Sequence, residues 1–258
     1  MVRSYFKNIL FSPVFFCSVL GVAIVTFFSI LQFATPYDGV IYYFDTVLCV
    51  GSYRKFLMLF AALPFNAQYA KEQSTGITTA IVARSSVKSY LWSHVMYCFL
   101  SAFFTCLIGC TLSILMLLLL GYPVWVEDNF NYYEGVIDVF LNSRDTVWTF
   151  YFFKAVNYSV SLGMWALSGL AASALYVNSY LAVVSPLIFS YILELFTIEL
   201  ENLPDLWHLS LSMTDVSDDP WIASSYIIFV FILVGSVFSM VFFRFGKRRI
   251  QNEISASS

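Results

Sequence analysis

Long runs of apolar residues are the feature that most constrains this chain of 258 residues. A helix needs about 20 mostly apolar residues to cross the hydrocarbon core of a bilayer. Charged residues make up 11% of the chain, against about a quarter in a typical soluble domain. The sequence therefore predicts an all-α polytopic membrane protein that forms a single domain over residues 1–258. Six transmembrane helices are expected, at residues 13–34, 53–70, 91–121, 151–176, 180–198 and 222–243.

The distribution of basic residues predicts the orientation of these spans. Six spans place both termini on one side of the membrane, and cytoplasmic segments carry an excess of Lys and Arg. With cytoplasmic termini, the inner segments hold nine of the basic residues: Arg3, Lys7, Lys71, Arg84, Lys88, Arg244, Lys247, Arg248 and Arg249. The first apolar run has no small-residue cleavage site after it, so it is expected to be retained. We predict a multi-pass protein of the cell membrane with both termini in the cytoplasm.

Two shorter segments have the spacing of amphipathic helices beside the membrane. Val2, Tyr5, Phe6, Ile9 and Leu10 share one helical face, which predicts a helix over 2–12 in the inner headgroup layer. Residues 199–222 carry helically spaced apolar residues between acidic ones, which predicts short re-entrant helices that cap the outer surface. A ragged start of the first span and a plain outer loop are the respective alternatives.

The polar stretch at 71–91 separates the second and third apolar segments. After Gly76, apolar residues and two cations recur at helical spacing on one side, and small hydroxyl residues occupy the other. Small side chains let a protein surface approach closely, whereas solvated loops more often carry long charged residues. The pattern predicts a helix of three to four turns with a protein partner on its Ser/Thr side. A helix that lies on the lipid surface without a partner is the alternative.

Two residues at the start of this helix have separate expected roles. Glu72 precedes the helix, where the exposed N–H groups and the helix dipole favour a negative charge by about 0.3–1 kcal/mol. We expect it to be available to a basic residue of a partner. Gly76 permits either a turn with positive φ or a close approach of backbone.

The order Glu72, Gly76, a hydroxyl-rich amphipathic helix with Arg84 and Tyr90, and then a long span resembles the type-2 ABC transporter permeases. In that family this region is the coupling helix, which docks into a groove of a cytoplasmic ATPase subunit. The family also has an interfacial helix before span one, six spans and short re-entrant outer helices, so the resemblance covers nearly the whole chain. One departure is the absence of a proline near Ser85 and Ser86.

The resemblance implies the transmembrane subunit of a bacterial ABC exporter. It is not expected to be an enzyme or to hold a cofactor or metal; ATP and Mg²⁺ would be bound by two copies of a separate ATPase chain. A second permease copy is expected, as a homodimer or, alternatively, a heterodimer, with no nucleic-acid partner. Pro64 and Pro186 are predicted bend points. The ATPase-coupling residues would be Glu72, Gly76, Thr78, Thr79, Arg84, Ser85, Ser86 and Lys88.

The composition bears on the energy source and on the cargo. Gly246-Lys247-Arg248 lacks the glycine and the hydroxyl residue of a Walker nucleotide-binding motif, so ATP hydrolysis would need another chain. The chain contains 27 Phe and 17 Tyr, which favours an amphipathic or hydrophobic cargo. A peptide toxin, a bacteriocin or a drug would fit this description, and the sequence does not choose among them.

Three other classes of membrane protein compete with this interpretation. An intramembrane serine protease needs a Ser and a His on facing helices, but His94 is predicted at the inner end of span three and His208 in an outer loop. An ion-coupled transporter needs ionisable groups inside the bilayer; Glu194 and Lys154 are the residues to consider, and both are expected at the outer interface. A channel or a membrane-anchored assembly factor is the third alternative.

Overall fold

The computed structural model describes residues 12–32, 39–50, 53–126, 146–199, 217 and 219–257. These residues form helices, and no strand occurs among them. The helices are α1 Pro13–Leu31, α2 Val40–Val50, α3 Arg54–Ala62, α4 Asn66–Ser74, α5 Ile77–Arg84, α6 Val87–Leu119, α7 Val147–Leu175, α8 Ser179–Glu199 and α9 Pro220–Ser257.

Polar side chains mark where several of these helices begin. The Ser12 hydroxyl accepts a hydrogen bond from the Phe15 N–H, and Pro13 supplies the fixed φ that suits a first helical residue. The Asn178 side chain accepts from the N–H groups of Tyr180 and Leu181 at the start of α8. Each cap satisfies backbone donors that have no partner within their own helix.

Four helices within the described residues are long and apolar enough to cross a membrane. They are Pro13–Leu31, Val87–Leu119, Val147–Leu175 and Trp221–Asn252. The chain is therefore a helical, multi-pass membrane protein. Helix α8 has 21 residues, of which Ser179–Leu195 form a shorter apolar stretch, and Pro186 lies inside it without ending the helix.

The segment predicted as the second span is not one helix. It forms α3 and α4, each nine residues long, which are interrupted at Leu63, Pro64 and Phe65. Proline has no N–H group and its ring clashes with the preceding turn, which explains an interruption at this point. Phe65 has a φ of −133°, outside the helical range, and the chain resumes a helix at Asn66.

Helix α7 is the centre of the bundle. In its most apolar stretch 94% of the residues are buried. The corresponding share is 44% in α1 and in α6, and 28% in α9. It packs against α6, α8 and α9, and the break between α3 and α4 also lies against it. Small residues make this close packing feasible: an added Cβ at Gly163 would overlap the Phe99 ring of α6.

Helix α2 lies between the first and second predicted spans, in a segment that is too short to cross a membrane. Its start is tied to the segment that follows α6, where the Val40 N–H donates to the Pro123 carbonyl at 2.9 Å. Val40, Ile41 and Phe44 are almost completely buried against neighbouring helices. The segment is therefore part of the protein core rather than a loose surface piece.

Two predicted features lie outside the described residues in large part. These are the interfacial helix at 2–12 and the outer cap at 199–222.

Candidate functional site

The segment at 71–91 contains the end of α4, a tight turn, α5 and the beginning of α6. The turn is made at Gly76, whose φ is +69° and whose N–H donates to the Gln73 carbonyl. This left-handed conformation favours glycine because a Cβ would be strained there. A Cβ at this position would meet nothing within 4 Å, so Gly76 is present for its backbone conformation and not for a close approach.

Helix α5 is shorter than the sequence predicts. The expected three to four turns end after eight residues, at Arg84, because Ser85 is extended with a φ of −141°. Ser86 then begins α6 as its N-cap: its hydroxyl accepts from the Ser89 N–H at 3.1 Å. A hydroxyl residue that can cap a new helix competes with continuation of the old one, and that competition was missed.

The face of α5 that points away from the protein also differs from the predicted one. Thr78 is completely buried and Val82 is 7% exposed, while Thr79 is half-buried. The exposed residues are Ile77, Ala80, Ala83 and Arg84. The prediction that a Ser/Thr side faces outward is therefore wrong for this helix, because Thr78 bonds to Tyr90 on α6 and holds that side inward.

Glu72 is buried, so its expected position at an exposed joint is wrong. It lies within α4 and is 5% exposed. Its carboxylate accepts from the Tyr90 hydroxyl at 2.7 Å and from the Gln68 amide at 2.8 Å, and it lies 3.2 Å from the His94 Nε2 atom. These partners satisfy a charge that would be costly to bury alone. Glu72 thus links α4 to α6 inside the chain.

His94, which the sequence placed at the inner end of span three, lies beside Glu72. We call Gln68, Glu72, Tyr90 and His94 the Glu72 cluster. The His94 imidazole is 2% exposed and is enclosed by the rings of Phe65, Tyr69, Tyr90 and Phe242, with centroids 4.6–6.4 Å away. Its Nδ1 atom has no hydrogen-bond partner among the described residues. The spacings Gln68–Glu72 and Tyr90–His94, each one helical turn, are the signals in the sequence that could have pointed to this cluster.

Exposed cations surround the cluster on the surface of the bundle. The Tyr69 ring, which packs against His94, also packs against the Phe242 ring of α9, with the two ring centroids 4.9 Å apart. This contact brings the last third of α9 to the same end of the bundle as α5. We call this surface the basic end. It is formed by the exposed side chains of Lys71, Arg84, Lys88, Arg244, Lys247 and Arg248.

Glu194 and Lys154, the two ionisable residues considered for ion coupling, each pair with a different residue. Glu194 of α8 pairs with Lys55 of α3, whose ammonium also lies over the Tyr191 ring. Lys154 of α7 lies 3.0 Å from Asp45 of α2 and is 4% exposed. The expectation that Lys154 reaches out to the interface is therefore wrong, because a carboxylate from α2 is available within the protein.

A second polar site, which sequence analysis missed, lies at the break between α3 and α4. The Asn66 amide donates to the carbonyls of Ala166 on α7 and Ala182 on α8, at 2.9 and 3.1 Å. Its carbonyl accepts from the Cys98 thiol of α6 at 3.0 Å. Pro186, four residues after Ala182, cannot supply the N–H that this carbonyl would receive in a regular helix. Asn66 takes the place of that donor.

The same site explains a glycine and both predicted bend points. A Cβ on Gly169 would overlap the Ala182 carbonyl and the Asn66 amide and would touch Pro186. Pro64 lies in the interruption that frees Asn66 to point at α7 and α8. We call Asn66, Cys98, Gly169, Ala182 and Pro186 the Asn66 node. It joins α4, α6, α7 and α8.

No group of three or more His, Cys, Asp or Glu residues that could hold a metal ion occurs in the described part of the chain. Cys106 and Cys110 lie close together on α6, with their sulfurs 3.9 Å apart, and both are buried.

Comparison with family models, with curated proteins and with solved structures finds no match to the chain.

Proposed function

We propose that the chain is the permease subunit of an ATP-driven exporter and that α5 is its contact with a separate cytoplasmic ATPase. In this proposal six segments cross the membrane, with α3 and α4 together forming the second span and α8 the fifth. The basic end then faces the cytoplasm, and two copies of the chain form the pathway. The cargo is an amphipathic or hydrophobic molecule such as a peptide.

The observation that carries the proposal is the position of α5. It is a short helix outside the long apolar helices, between two of the segments that enter the membrane, and it presents Ile77, Ala80 and Arg84 outward. Its inward face is fixed by Thr78 and Val82. A helix that is held on one side and has a small, partly apolar exposed face is better suited to docking in a groove of another protein than to exposure to solvent.

The attachment of α4 supports a mechanical role for this contact. One end of α4 is bonded to α6 through Glu72 and Tyr90, and the other end is bonded to α7 and α8 through Asn66. A push on α5 would therefore be carried by a single nine-residue helix from the basic end to the Asn66 node. ATP-driven movement of a docked ATPase would reach the membrane interior by this path.

A site-specific crosslinking experiment tests the docking. A photo-crosslinking amino acid at Ala80, on the exposed face of α5, should capture a cytoplasmic chain with ATPase activity in cells of the source organism. The matched control places the same amino acid at Ile108, which is 40% exposed on the span part of α6 and should give no such adduct. Capture of lipid alone at both positions, or of the same proteins at both, would contradict the proposal.

The buried Glu72–His94 pair is the observation that favours an ion-coupled transporter instead. Ionisable groups within a membrane protein are costly and often belong to proton pathways. The two functions differ in an assay with liposomes that contain a pH-sensitive dye. An ion-coupled transporter should collapse an imposed pH gradient, and Glu72→Gln should abolish that flux. A permease without its ATPase should leave the gradient unchanged, whether position 72 is Glu or Gln.

A further inference from the structure

A line of buried hydrogen-bonding groups follows one face of the central helix α7. Asn157, Ser161 and Trp165 are spaced four residues apart, so they lie one above another on the same side of the helix. They are at most 2% exposed. The Asn157 Nδ2, the Ser161 hydroxyl and the Trp165 Nε1 have no hydrogen-bond partner among the described residues.

Helix α8 contributes a fourth group of the same kind. Ser185 is 2% exposed and its hydroxyl also lacks a partner in the described part of the chain. Helix α8 runs antiparallel to α7, with Ala182 opposite Gly169. Three residues later in α8 and three residues earlier in α7, Ser185 comes to the depth of Ala166, which follows Trp165 in the sequence. We call Asn157, Ser161, Trp165 and Ser185 the donor seam.

Other buried serines of the same helix show that the unpartnered hydroxyls are exceptional. Ser159, Ser168 and Ser173 each donate to a carbonyl three or four residues earlier in α7, at 2.6–2.7 Å. That local bond is the usual way for a serine inside an apolar helix to satisfy its hydroxyl. Ser161 and Ser185 are turned away from it, so their hydroxyls remain available to a group that is not part of the backbone.

The chemistry of the seam defines what it would bind. A Trp indole N–H and an Asn amide NH₂ are donors only, and the Asn157 carbonyl already accepts from Ser224 of α9 at 2.8 Å. Serine hydroxyls can also donate. The complementary ligand therefore presents several acceptor oxygens and no excess of charge, because no ionised group belongs to the seam. Peptide carbonyls and water are the two sources of such oxygens.

The helix that covers the start of the seam is the least buried of the four candidate spans in the described residues. The α9 span is only 28% buried, and Ser224, Ile227 and Phe231 are among its few inward residues. Its contact with α8 includes the rings of Phe189 and Phe238, 6.3 Å apart. Among the described residues α9 packs mainly against α7 and makes little contact with α8, so a movement of α8 relative to α9 would open the seam.

We propose that the donor seam is a substrate-binding site that holds the carbonyl oxygens of an uncharged, peptide-like cargo between α7, α8 and α9. This assignment rests on the proposed export function. Water occupies the same donors when no cargo is bound.

Hydrogen exchange at Trp165 tests the proposal on the chain alone. The full chain is labelled with ¹⁵N-tryptophan, placed in lipid nanodiscs and transferred to D₂O, with Trp165→Phe used to assign the indole signal. We expect the Trp165 N–H to exchange within minutes despite its burial. Trp148, which is 49% exposed, is the reference for a freely accessible indole. Protection of Trp165 for many hours would overturn the proposal, because donors that never meet water or cargo form no binding site.

A blocked apolar tripeptide, N-acetyl-Leu-Phe-Leu amide, distinguishes the two sources of oxygen. It should slow the Trp165 exchange at least tenfold, and dodecane, which has no acceptor, should not. Ser161→Ala combined with Ser185→Ala should weaken the tripeptide effect at least tenfold, whereas Ser159→Ala with Ser173→Ala should leave it unchanged. Rapid exchange that the tripeptide does not alter would leave water as the only occupant and overturn the substrate assignment. Crosslinking at Ala80 tests the export function independently of this result.

Discussion

The Asn66 side chain donates a hydrogen bond to the Ala182 carbonyl, which Pro186 deprives of its normal helical donor. The bond joins two chain interruptions that are far apart in sequence: the break at Pro64 releases Asn66, and Pro186 leaves the acceptor that Asn66 fills. Asn66 therefore replaces the helical bond that Pro186 removes with a contact between α4 and α8.

Replacement of Asn66 by Leu, which has a similar shape, should destabilise the protein by about 1–3 kcal/mol, because the Ala182 carbonyl would be left buried without a donor. Pro186→Ala restores an N–H at that position. The double variant should therefore lose less stability than the sum of the two single changes. Thermal unfolding in detergent, followed by the reactivity of the buried cysteines, measures both effects. Additive losses would show that the carbonyl of Ala182 has no part in the role of Asn66.

Gly169→Ala should sharply reduce the yield of folded protein, because the added methyl group would overlap the backbone carbonyl of Ala182 and the Asn66 amide. Gly235→Ala is the matched control on α9. There the nearest atom is a Leu167 methyl group at 3.2 Å, the end of a side chain that can turn aside. The measurement is the monodisperse fraction in size-exclusion chromatography after mild detergent extraction, and equal yields for the two variants would contradict the packing described for the node.

Glu72→Gln and Tyr90→Phe should each destabilise the chain, and their effects should be coupled by about 1.5–3 kcal/mol, since a hydrogen bond to a charged group is stronger than a neutral one. A double-mutant cycle in detergent measures this coupling. Lys71→Gln, a change of an exposed residue beside Glu72, should alter stability little. Coupling indistinguishable from zero would mean that Glu72 does not hold α4 to α6.

Ser86→Ala should destabilise the start of α6 by about 1 kcal/mol, the usual cost of losing an N-cap hydroxyl. Ser89→Ala, three residues later on an exposed position, removes a hydroxyl that does not cap the helix and should have almost no effect. Amide hydrogen exchange of residues 87–90 reports the fraying directly. If both variants exchange alike, the boundary between α5 and α6 does not depend on Ser86.

A single cysteine at Ser257, with the five native cysteines replaced, should resist membrane-impermeant thiol reagents in intact cells and react after lysis. This follows from the nine basic residues that cytoplasmic termini place inside. A cysteine at Ser217, before α9 begins, should react in intact cells. Labelling in the reverse order would overturn the orientation and, with it, the cytoplasmic position of α5.

Sequence analysis located the long apolar helices because their signal is local: about 20 apolar residues in succession need no knowledge of the rest of the fold. The all-helical, multi-pass prediction is confirmed on that basis. The number of spans is a different matter, because α3 and α4 are too short to qualify separately and the apolar stretch of α8, Ser179–Leu195, is also short. Whether such pieces together cross a membrane depends on their neighbours and cannot be read from one segment.

The candidate site was predicted less well, because its residues are placed by tertiary contacts. Glu72 looked like an exposed acid before a helix, but Tyr90 and His94 come from another helix and bury it. Thr78 belonged to a hydroxyl pattern whose outward direction could not be known before its bond to Tyr90. Asn66 drew no attention, since a single amide beside a proline has meaning only when the free carbonyl of a distant helix is known.

The long reach of the Asn66 contact sets an order of events during synthesis. Ala182 follows Asn66 by 116 residues, and at about 5–20 residues per second a ribosome needs about 6–23 s to make that length. Throughout this interval the Asn66 amide lacks the Ala182 carbonyl. The contacts that join α4 to α8 are therefore completed only after most of the chain has been made, so the position of α4 is fixed late in synthesis.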